Sequence, residues 1–204
     1  MNLQENRINN YYKFHSLIYD LTRWSFLFGR NKIINLVNNL PNNSKILEVG
    51  CGTGHNLILL SKNNINSLII GVDISIDMIH KAQQKTINYN NITLINRPFT
   101  ETLFDGKFDL ILFSYCLTMI NPGYDIFIDN AFNLLNDGGK IAVVDFHKSN
   151  LTLYKKYMEL NHVKMEGQIL RKLRENFEIG NSEISEAYFG IWEYFCFVGT
   201  KKVN

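Results

Sequence analysis

The chain has 204 residues, which is enough for one domain with a single substantial core. Its hydrophobic fraction of 46% and charged fraction of 20% are ordinary for a globular protein, and a net charge of +2 argues against a nucleic-acid partner, which needs a concentrated basic face. The three cysteines are widely spaced and odd in number, so we expect neither a disulfide framework nor a metal site.

The first predicted element is an aromatic and basic helical segment over residues 11–37, in which apolar side chains recur at helical spacing. Pro41 and the two asparagines after it break this pattern, and a different pattern of strands and helices begins. We therefore expect an N-terminal helical segment over residues 1–40, which precedes a core over residues 41–204 within a single domain.

Strands and helices alternate along the rest of the chain. Strands are predicted at residues 45–50, 67–73, 92–95, 108–113 and 140–144, helices at 56–62, 76–87, 126–135 and 151–177, and two closing strands at 182–189 and 194–200. Alternation of this kind predicts an α/β fold with a mainly parallel sheet. No helix separates the last two strands, so we expect them to form an antiparallel hairpin at the end of the sheet.

The most informative motif is the glycine-rich loop after the first predicted strand, where Gly50, Gly52 and Gly54 recur at every second position. Glycines allow a sharp turn and let a ligand approach the main chain without meeting a Cβ. The spacing differs from that of dinucleotide enzymes, and Glu48 just before the loop would repel a phosphate. Asp73 ends the second strand, where a carboxylate can accept hydrogen bonds from ribose hydroxyls. A pyrophosphate is therefore the less favoured ligand, and the alternative to a nucleotide site is a tight strand–helix turn followed by a surface aspartate.

These motifs resemble those of class I S-adenosylmethionine-dependent methyltransferases. LEVGCGTGHN over residues 47–56 resembles their first motif and GVDIS over 71–75 their acidic second motif, while FDLILFS over 108–114 and LLNDGGK over 134–140 resemble the fourth-strand motif and the turn before the fifth strand. The resemblance covers roughly residues 40–146. It implies a Rossmann-like seven-stranded sheet with an antiparallel final strand and helices on both faces. It also implies S-adenosylmethionine as the cofactor and S-adenosylhomocysteine as the product.

The resemblance also implies where the cofactor lies. Glu48, Gly50, Gly52 and Gly54 would surround its methionine part, and Asp73 would bind the ribose. The adenine would lie between Ile74 and Met78, with Asn96 and Arg97 at the position where these enzymes often carry an Asp-Ala pair, and Ser114 would complete the cofactor site at the end of the fourth strand. An asparagine can still form a hydrogen bond with the base.

Methyl transfer mainly requires an aligned acceptor and the exclusion of water, with a base only where the acceptor must lose a proton. Tyr115 follows the fourth strand and is a candidate to orient the acceptor, with packing as the alternative. His147 follows the fifth strand and is a candidate base because its ordinary pKa is ~6.5, although a loop histidine can equally be structural. Both are predicted catalytic residues.

The N-terminal segment supplies two more candidate residues. In class I enzymes such a segment typically forms a lid over the cofactor, and Tyr19 with the aspartate after it resembles the tyrosine-aspartate pair found there. The resemblance assigns Tyr19 to both the cofactor and the catalytic chemistry, and Arg30 to the cofactor. The alternative is an amphipathic helix whose aromatic side chains pack on the sheet.

The predicted acceptor is a small or lipid-like molecule. The run YDLTRWSFLFGR over residues 19–30 followed closely by the glycine loop looks like that of the diacylglyceryl-homoserine (betaine lipid) N-methyltransferases, which implies a head-group amine. Parts of the same segment resemble quinone C-methyltransferases, and phosphatidylethanolamine methylation, a non-catalytic cofactor-binding role and other chemistry with the same cofactor stay open. A basic aromatic segment suits a membrane interface, so its peripheral membrane contact is a further expectation.

The expected location is the cytoplasm. The first ten residues are polar and lack the apolar stretch of a secretory signal, and no run reaches the ~20 apolar residues that span a bilayer.

Overall fold

The computed structural model describes residues 27–160 and 163–202. The helices are α1 (Arg30–Leu36), α2 (His55–Asn63), α3 (Ile76–Thr86), α4 (Tyr124–Leu134), α5 (Thr152–Leu160) and α6 (Gln168–Asn176). The strands are β1 (Lys45–Val49), β2 (Leu68–Val72), β3 (Ile92–Ile95), β4 (Phe108–Ser114), β5 (Leu135–Phe146), β6 (Phe177–Ala187) and β7 (Trp192–Lys201). Two short 3₁₀ turns lie at Glu101–Leu103 and Leu117–Met119.

The seven strands form one sheet in the order β3-β2-β1-β4-β5-β7-β6. Neighbours from β3 to β5 are parallel, and β7 pairs antiparallel with both β5 and β6. The predicted fold class is therefore confirmed, including the antiparallel final strand and the closing hairpin. The direction in which successive strands are added to the sheet reverses between β1 and β4. Open α/β sheets form a crevice at such a point, at the carboxyl ends of their strands.

Two apolar clusters cover the two faces of the sheet. Strand residues alternate between the faces, so that Ala142, Val144 and Phe146 of β5 join the first cluster and Ile141 and Val143 the second. The first cluster contains the buried apolar residues of α1 and α2, together with Met158 of α5. The second cluster contains the buried apolar residues of α4 and α6. Helices on both faces, as predicted, leave the carboxyl edge of the sheet for loops.

Three elements differ most from the sequence prediction. The single helix predicted over 151–177 is two helices, because α6 begins afresh after Gly167, which has a φ of +73°, and Glu166 forms a bridge with Lys148. Strand β6 begins at Phe177 instead of residue 182, since a register shift between Ile179 and Asn181 interrupts its alternation. Strand β5 begins at residue 135 instead of 140, because its pairing with β4 also shifts register near its start.

The division at residue 40 stays a prediction. Of the N-terminal segment, the structure describes residues 27–40, and these contain α1, whose Ile33 and Ile34 are buried in the first cluster. Residues 1–26, among them Tyr19, lie outside the described part of the chain.

Candidate functional site

The glycine loop turns back from β1 onto β2. Gly50, Gly52 and Gly54 have φ values of +70°, +53° and +78°, a left-handed conformation that side chains with a Cβ rarely adopt. The amides of Gly50 and Cys51 both donate to the carbonyl oxygen of Val72, at 2.8 and 3.1 Å. The loop is thus held at the carboxyl end of β2, and its backbone conformation is one that requires glycine.

Two of these glycines also make room for neighbouring side chains. A Cβ on Gly50 would lie 2.6 Å from the Sγ of Cys116, in the segment after β4. A Cβ on Gly54 would lie 3.2 Å from the Cβ of Ala82 in α3. The spacing of the motif therefore reflects packing within the protein as well as access for a ligand.

Asp73 joins the glycine loop to the turn before α3. One carboxylate oxygen accepts from the amide of Gly52 at 2.8 Å, and the other accepts from the amide of Ser75 at 2.9 Å. Each carboxylate oxygen has a second lone pair, so the same group can accept hydrogen bonds from two vicinal hydroxyls. The position predicted for ribose binding is therefore also the anchor of the loop.

The residues predicted to surround adenine lie beside this turn. Ile74 is 45% exposed, which leaves an apolar side chain available to a ring, whereas Met78 is buried at 3% exposure. The amide nitrogen of Asn96 donates to the carbonyl oxygens of Asp73 and Ile74, both at 2.9 Å. These bonds hold the side chain in place and leave its oxygen as the atom to accept from an exocyclic amine. Arg97 is exposed beside it.

A chain of polar side chains connects β1 to α1. Glu48 is 1% exposed, and one of its oxygens accepts from the amide nitrogen of Asn56 at 2.7 Å. The amide oxygen of Asn56 accepts in turn from two guanidinium nitrogens of Arg30, at 3.2 and 2.9 Å. Glu48 and Arg30, both assigned to the cofactor from the sequence, are therefore brought together by Asn56, which the sequence analysis did not single out. Its position directly after the loop, on the first turn of α2, was the available signal.

Tyr115 connects the end of β4 to the segment before α1. Its φ is +53°, its side chain is buried, and its hydroxyl donates to the carbonyl oxygen of Phe28 at 2.7 Å. Burial, with the negative charge of Asp145 as a smaller cause, raises the pKa of this phenol well above its usual range. The hydroxyl therefore stays protonated, which suits an orienting role and not that of a base.

Ser114, at the last position of β4, is 4% exposed. Its hydroxyl oxygen is buried and makes no hydrogen bond within the described ranges 27–160 and 163–202. A buried hydroxyl without a partner at the carboxyl edge of a sheet is a group that a bound ligand can satisfy. This observation fits its assignment to the cofactor site.

Asp145, a polar residue near the carboxyl end of β5, organises the loop after β4. The carboxylate is fully buried and accepts from the hydroxyl and the amide of Thr118, at 2.5 and 3.1 Å, and from the amide of Phe146 at 2.9 Å. Burial raises its pKa to about 6, against the opposing effect of these hydrogen bonds. The carbonyl oxygen of Thr118 accepts from the amide of Lys164, so the same turn is also tied to the segment after α5.

His147 lies on the other face of the sheet from Tyr115. Its ring is 6.1 Å from that of Phe195 in the second cluster, whereas Tyr115 packs at 4.8 Å on Phe146 in the first. Its Nε2 is 4.0 Å from a carboxylate oxygen of Glu193, and burial lowers its pKa below 6.5. The structure therefore places the two predicted catalytic residues, Tyr115 and His147, on opposite faces of the sheet. A catalytic role for His147 stays a prediction.

A cleft of about 600 Å³ lies between the glycine loop and the segment before α1. Its lining combines aromatic, basic and loop residues, namely Leu27, Phe28, Gly29, Arg30, Asn31, Lys32, Thr53, His55, Lys85 and Tyr194. No group of three or more histidine, cysteine, aspartate or glutamate side chains suited to a metal ion occurs among residues 27–160 and 163–202. In the same part of the chain, no helix is long and apolar enough to cross a bilayer.

Comparisons with known proteins agree with this geometry. A family model described as a methyltransferase domain matches residues 40–188, which is more than half of the chain. A demethylmenaquinone methyltransferase from Staphylococcus carnosus is 29% identical over 140 residues, which cover 66% of this chain and 58% of that protein. Corresponding proteins from Staphylococcus aureus are 26% identical over the same length. The chain thus spans less than two thirds of the length of these curated relatives.

Two solved structures have a similar fold. Magnesium protoporphyrin IX methyltransferase from Synechocystis PCC 6803 with bound S-adenosylhomocysteine has a TM-score of 0.73 at 16% identity, and the match covers 97% of this chain and 99% of that one. An N-methyltransferase from Bradyrhizobium japonicum WM9 in complex with the same molecule has a TM-score of 0.69 at 17% identity, over 85% and 86% of the two chains. At these identities the likeness concerns the fold.

Proposed function

The chain belongs to the methyltransferase domain family, and we propose that it methylates an amphiphilic acceptor whose reacting ring or head group packs against aromatic side chains beside the cofactor loop. It is a class I S-adenosylmethionine-dependent methyltransferase, and S-adenosylmethionine is its cofactor. The identity of the acceptor, the roles of individual residues and the finer likeness to betaine-lipid enzymes are proposals.

The residues at the carboxyl edge fit this cofactor. Asp73 offers acceptors to the ribose hydroxyls, and the exposed side chain of Ile74 offers an apolar surface to the adenine. Glu48 and Arg30, linked through Asn56, supply one charge of each sign for the amino and carboxylate groups of the methionine part. When bound, the cofactor supplies a methyl group that its sulfonium activates for displacement.

The observation that carries the proposed acceptor is the aromatic wall, which we define as Phe28, Tyr188, Trp192 and Tyr194. The ring of Phe28 lies 5.3, 5.7 and 6.0 Å from those of the other three, in the same order. Phe28 and Tyr194 also line the cleft, together with Thr53 of the glycine loop. The rings of Phe28 and Tyr194 are stacked with an interplanar angle of 29° and are partly exposed, whereas Trp192 is buried at 1% exposure. Phe28 and Tyr194 thus offer an aromatic surface beside the cofactor loop that can stack on a planar acceptor and shield it from water.

A quinol ring is the acceptor that these observations favour. It is planar and amphiphilic, and the curated relatives at 26–29% identity methylate demethylmenaquinone, as their names state. When bound, the cofactor would supply the methyl group for the new bond to a ring carbon, with S-adenosylhomocysteine as the leaving group, and the proton of that carbon would pass to solvent. In this proposal Tyr115 orients the acceptor indirectly, because its hydroxyl donates to the carbonyl oxygen of Phe28 and so holds Phe28 within the wall.

The amine of a lipid head group, which the sequence analysis placed first, is the second candidate. The aromatic wall supports it as well, because ring faces attract an ammonium group by cation–π interaction. Such an acceptor must enter as the neutral amine or lose a proton before each transfer. Tyr115 stays protonated because burial raises its pKa, so it does not serve as that base. The raised pKa of Asp145, about 6, would suit a base, but its carboxylate is fully buried and accepts from Thr118 and Phe146, so it does not face an acceptor.

The test uses the purified full chain, methyl-labelled S-adenosylmethionine and two acceptors, a dithionite-reduced demethylnaphthoquinol with a short prenyl tail and phosphatidylethanolamine. We expect label on the quinol ring, and label on the amine would select the second candidate. Phe28→Ala should raise KM for the acceptor about tenfold with little change in cofactor affinity. Tyr89→Ala, at a half-buried tyrosine after α3, is the matched control. Cofactor binding without transfer to either acceptor would refute the proposal.

A further inference from the structure

Large apolar side chains are concentrated on the solvent side of two short segments, α5 and the turn between β6 and β7. We define them together as the apolar rim: Leu151, Leu153, Tyr157, Leu160, Tyr188, Phe189 and Ile191. Phe189, Leu153 and Leu160 are 109%, 85% and 80% exposed, values at which a side chain has almost no protein neighbours. In α5 the exposed apolar residues recur at positions 153, 157 and 160, which is one face of a helix.

The two halves of the rim are physically joined. The hydroxyl of Ser149 donates to the carbonyl oxygen of Ile191 at 2.7 Å, and its oxygen accepts from the amide of Leu151 at 3.2 Å. Met158, on the opposite side of α5, is buried in the first core cluster. The helix is therefore held by its inner face and by Ser149, while its outer apolar face is left in solvent.

The turn between β6 and β7 has an unusual sequence for its conformation. Tyr188 and Phe189 have φ values of +49° and +57°, a conformation for which turns of this kind prefer asparagine and glycine. A residue with a Cβ is strained in this conformation, whereas glycine is not. Tyr188 recovers part of this through its contact with Phe28, but Phe189 projects fully into solvent. Packing within the described protein therefore gives no reason for an aromatic residue at position 189.

The rim lies at the same edge of the sheet as the candidate site. Helix α5 follows the carboxyl end of β5, and β7 starts opposite it, since Phe146 pairs with Tyr194. Tyr188 belongs both to the rim and to the aromatic wall, so that the rim borders the place proposed for the acceptor.

We propose that the apolar rim inserts into the interfacial layer of a lipid bilayer that contains anionic lipid. Aliphatic and aromatic side chains flanked by lysines are the composition of interfacial segments. Lys155 and Lys156 lie within α5, whose acidic residue is Glu159, so this helix is cationic beside its apolar face. Anionic lipid would neutralise this excess positive charge while it covers the apolar side chains, whereas the same face of a second copy carries the same excess positive charge, which favours lipid. This surface differs from the N-terminal segment for which the sequence predicted membrane contact.

The consequence for the enzyme rests on the proposed amphiphilic acceptor. With the rim in the interface, the tail of the acceptor stays in the bilayer, while only its ring or head group moves to the aromatic wall. Replacing exposed rim residues with polar ones should therefore slow the methylation of acceptors presented in vesicles. The methylation of a soluble, short-tailed acceptor should be unchanged.

The test is sedimentation of the full chain with vesicles of phosphatidylcholine and phosphatidylglycerol. Leu153→Ser combined with Phe189→Ser should lower the partition coefficient about tenfold or more, because both side chains lose their transfer into the interface. Ile65→Ser combined with Ile87→Ser is the matched control, since both isoleucines are 77% exposed and lie in loops at the opposite edge of the sheet. The control should bind vesicles like the wild-type protein.

Equal binding by the rim variant and the wild-type protein would overturn the inference, and so would an equal loss in the control variant. A change from dimer to monomer in sedimentation velocity, with unchanged vesicle binding, would assign the rim to a second copy instead. Because vesicle binding is measured without cofactor or acceptor, its failure is distinguishable from a failure of the proposed methylation.

Discussion

Replacing Gly50 with alanine tests why the first glycine of the loop is required. The residue has a φ of +70°, and a Cβ there would lie 2.6 Å from the sulfur and 3.1 Å from the Cβ of Cys116. Gly138, in the turn within β5, is a matched control, because its φ is +73° and a Cβ there would meet nothing within 4 Å. Both variants carry the same backbone strain, and only Gly50→Ala adds the close contact.

The expected loss in the free energy of unfolding is the sum of two effects, the backbone strain and the close contact with Cys116. A left-handed backbone costs a residue other than glycine about 1–2 kcal/mol, and this applies to both variants. Overpacking a side chain against a close neighbour costs about 1–3 kcal/mol more, and this applies to Gly50→Ala alone. Adding Cys116→Ala removes the sulfur and should return about 1–2 kcal/mol of the second cost. We therefore expect Gly50→Ala to lower the free energy of unfolding by about 2–5 kcal/mol.

Urea denaturation followed by far-UV circular dichroism measures these free energies, and titration calorimetry measures cofactor affinity in parallel. We expect Gly50→Ala to bind S-adenosylmethionine at least about tenfold more weakly, because the backbone strain and the contact with Cys116 displace the loop that forms the cofactor site. Equal destabilisation by Gly50→Ala and Gly138→Ala would refute the packing argument. So would a double variant in which Cys116→Ala returns no stability.

Asp73→Ala should weaken cofactor binding at least about tenfold in calorimetry and destabilise the loop by about 1–2 kcal/mol, because Gly52 loses its acceptor; unchanged affinity would remove the ribose assignment. Asn56→Ala should lower the free energy of unfolding by about 1.5–3 kcal/mol, since it breaks hydrogen bonds to both charged partners; a loss below 0.5 kcal/mol, as for a surface residue, would contradict this. The pKa of Asp145, raised from 3.8 to about 6, means that the native state binds its proton more tightly than the unfolded state. Its contribution to stability should therefore fall by about 2 kcal/mol as pH rises from 4 to 7, and a wild-type curve parallel to that of Asp145→Asn would argue against it. If His147 is the base, its lowered pKa places the acidic limb of the kcat profile below pH 6.5, and His147→Gln should abolish that limb; an unaltered limb would exclude it.

The sequence alone predicted the order of the elements and the cofactor loop because both are encoded locally. The glycine motif, Glu48 and Asp73 lie within 26 consecutive residues, and their placement follows from two adjacent parallel strands, β1 and β2. Alternation of strand and helix patterns was likewise sufficient for the seven-stranded sheet. Where a bulge or a left-handed glycine interrupted the local pattern, as near Asn181 and Gly167, the predicted boundaries were wrong.

Only the tertiary structure decided which distant side chains meet. The hydroxyl of Tyr115 reaches the carbonyl oxygen of Phe28, 87 positions away, and the aromatic wall joins Phe28 to Trp192 from the opposite end of the chain. These contacts depend on strand order and register, which place β7 beside β5. His147 directly follows Phe146, the last residue of β5, and this single position places its side chain on the other face of the sheet. Periodicity in a sequence encodes which residues are buried, whereas the partner that buries each of them is set by how the elements pack.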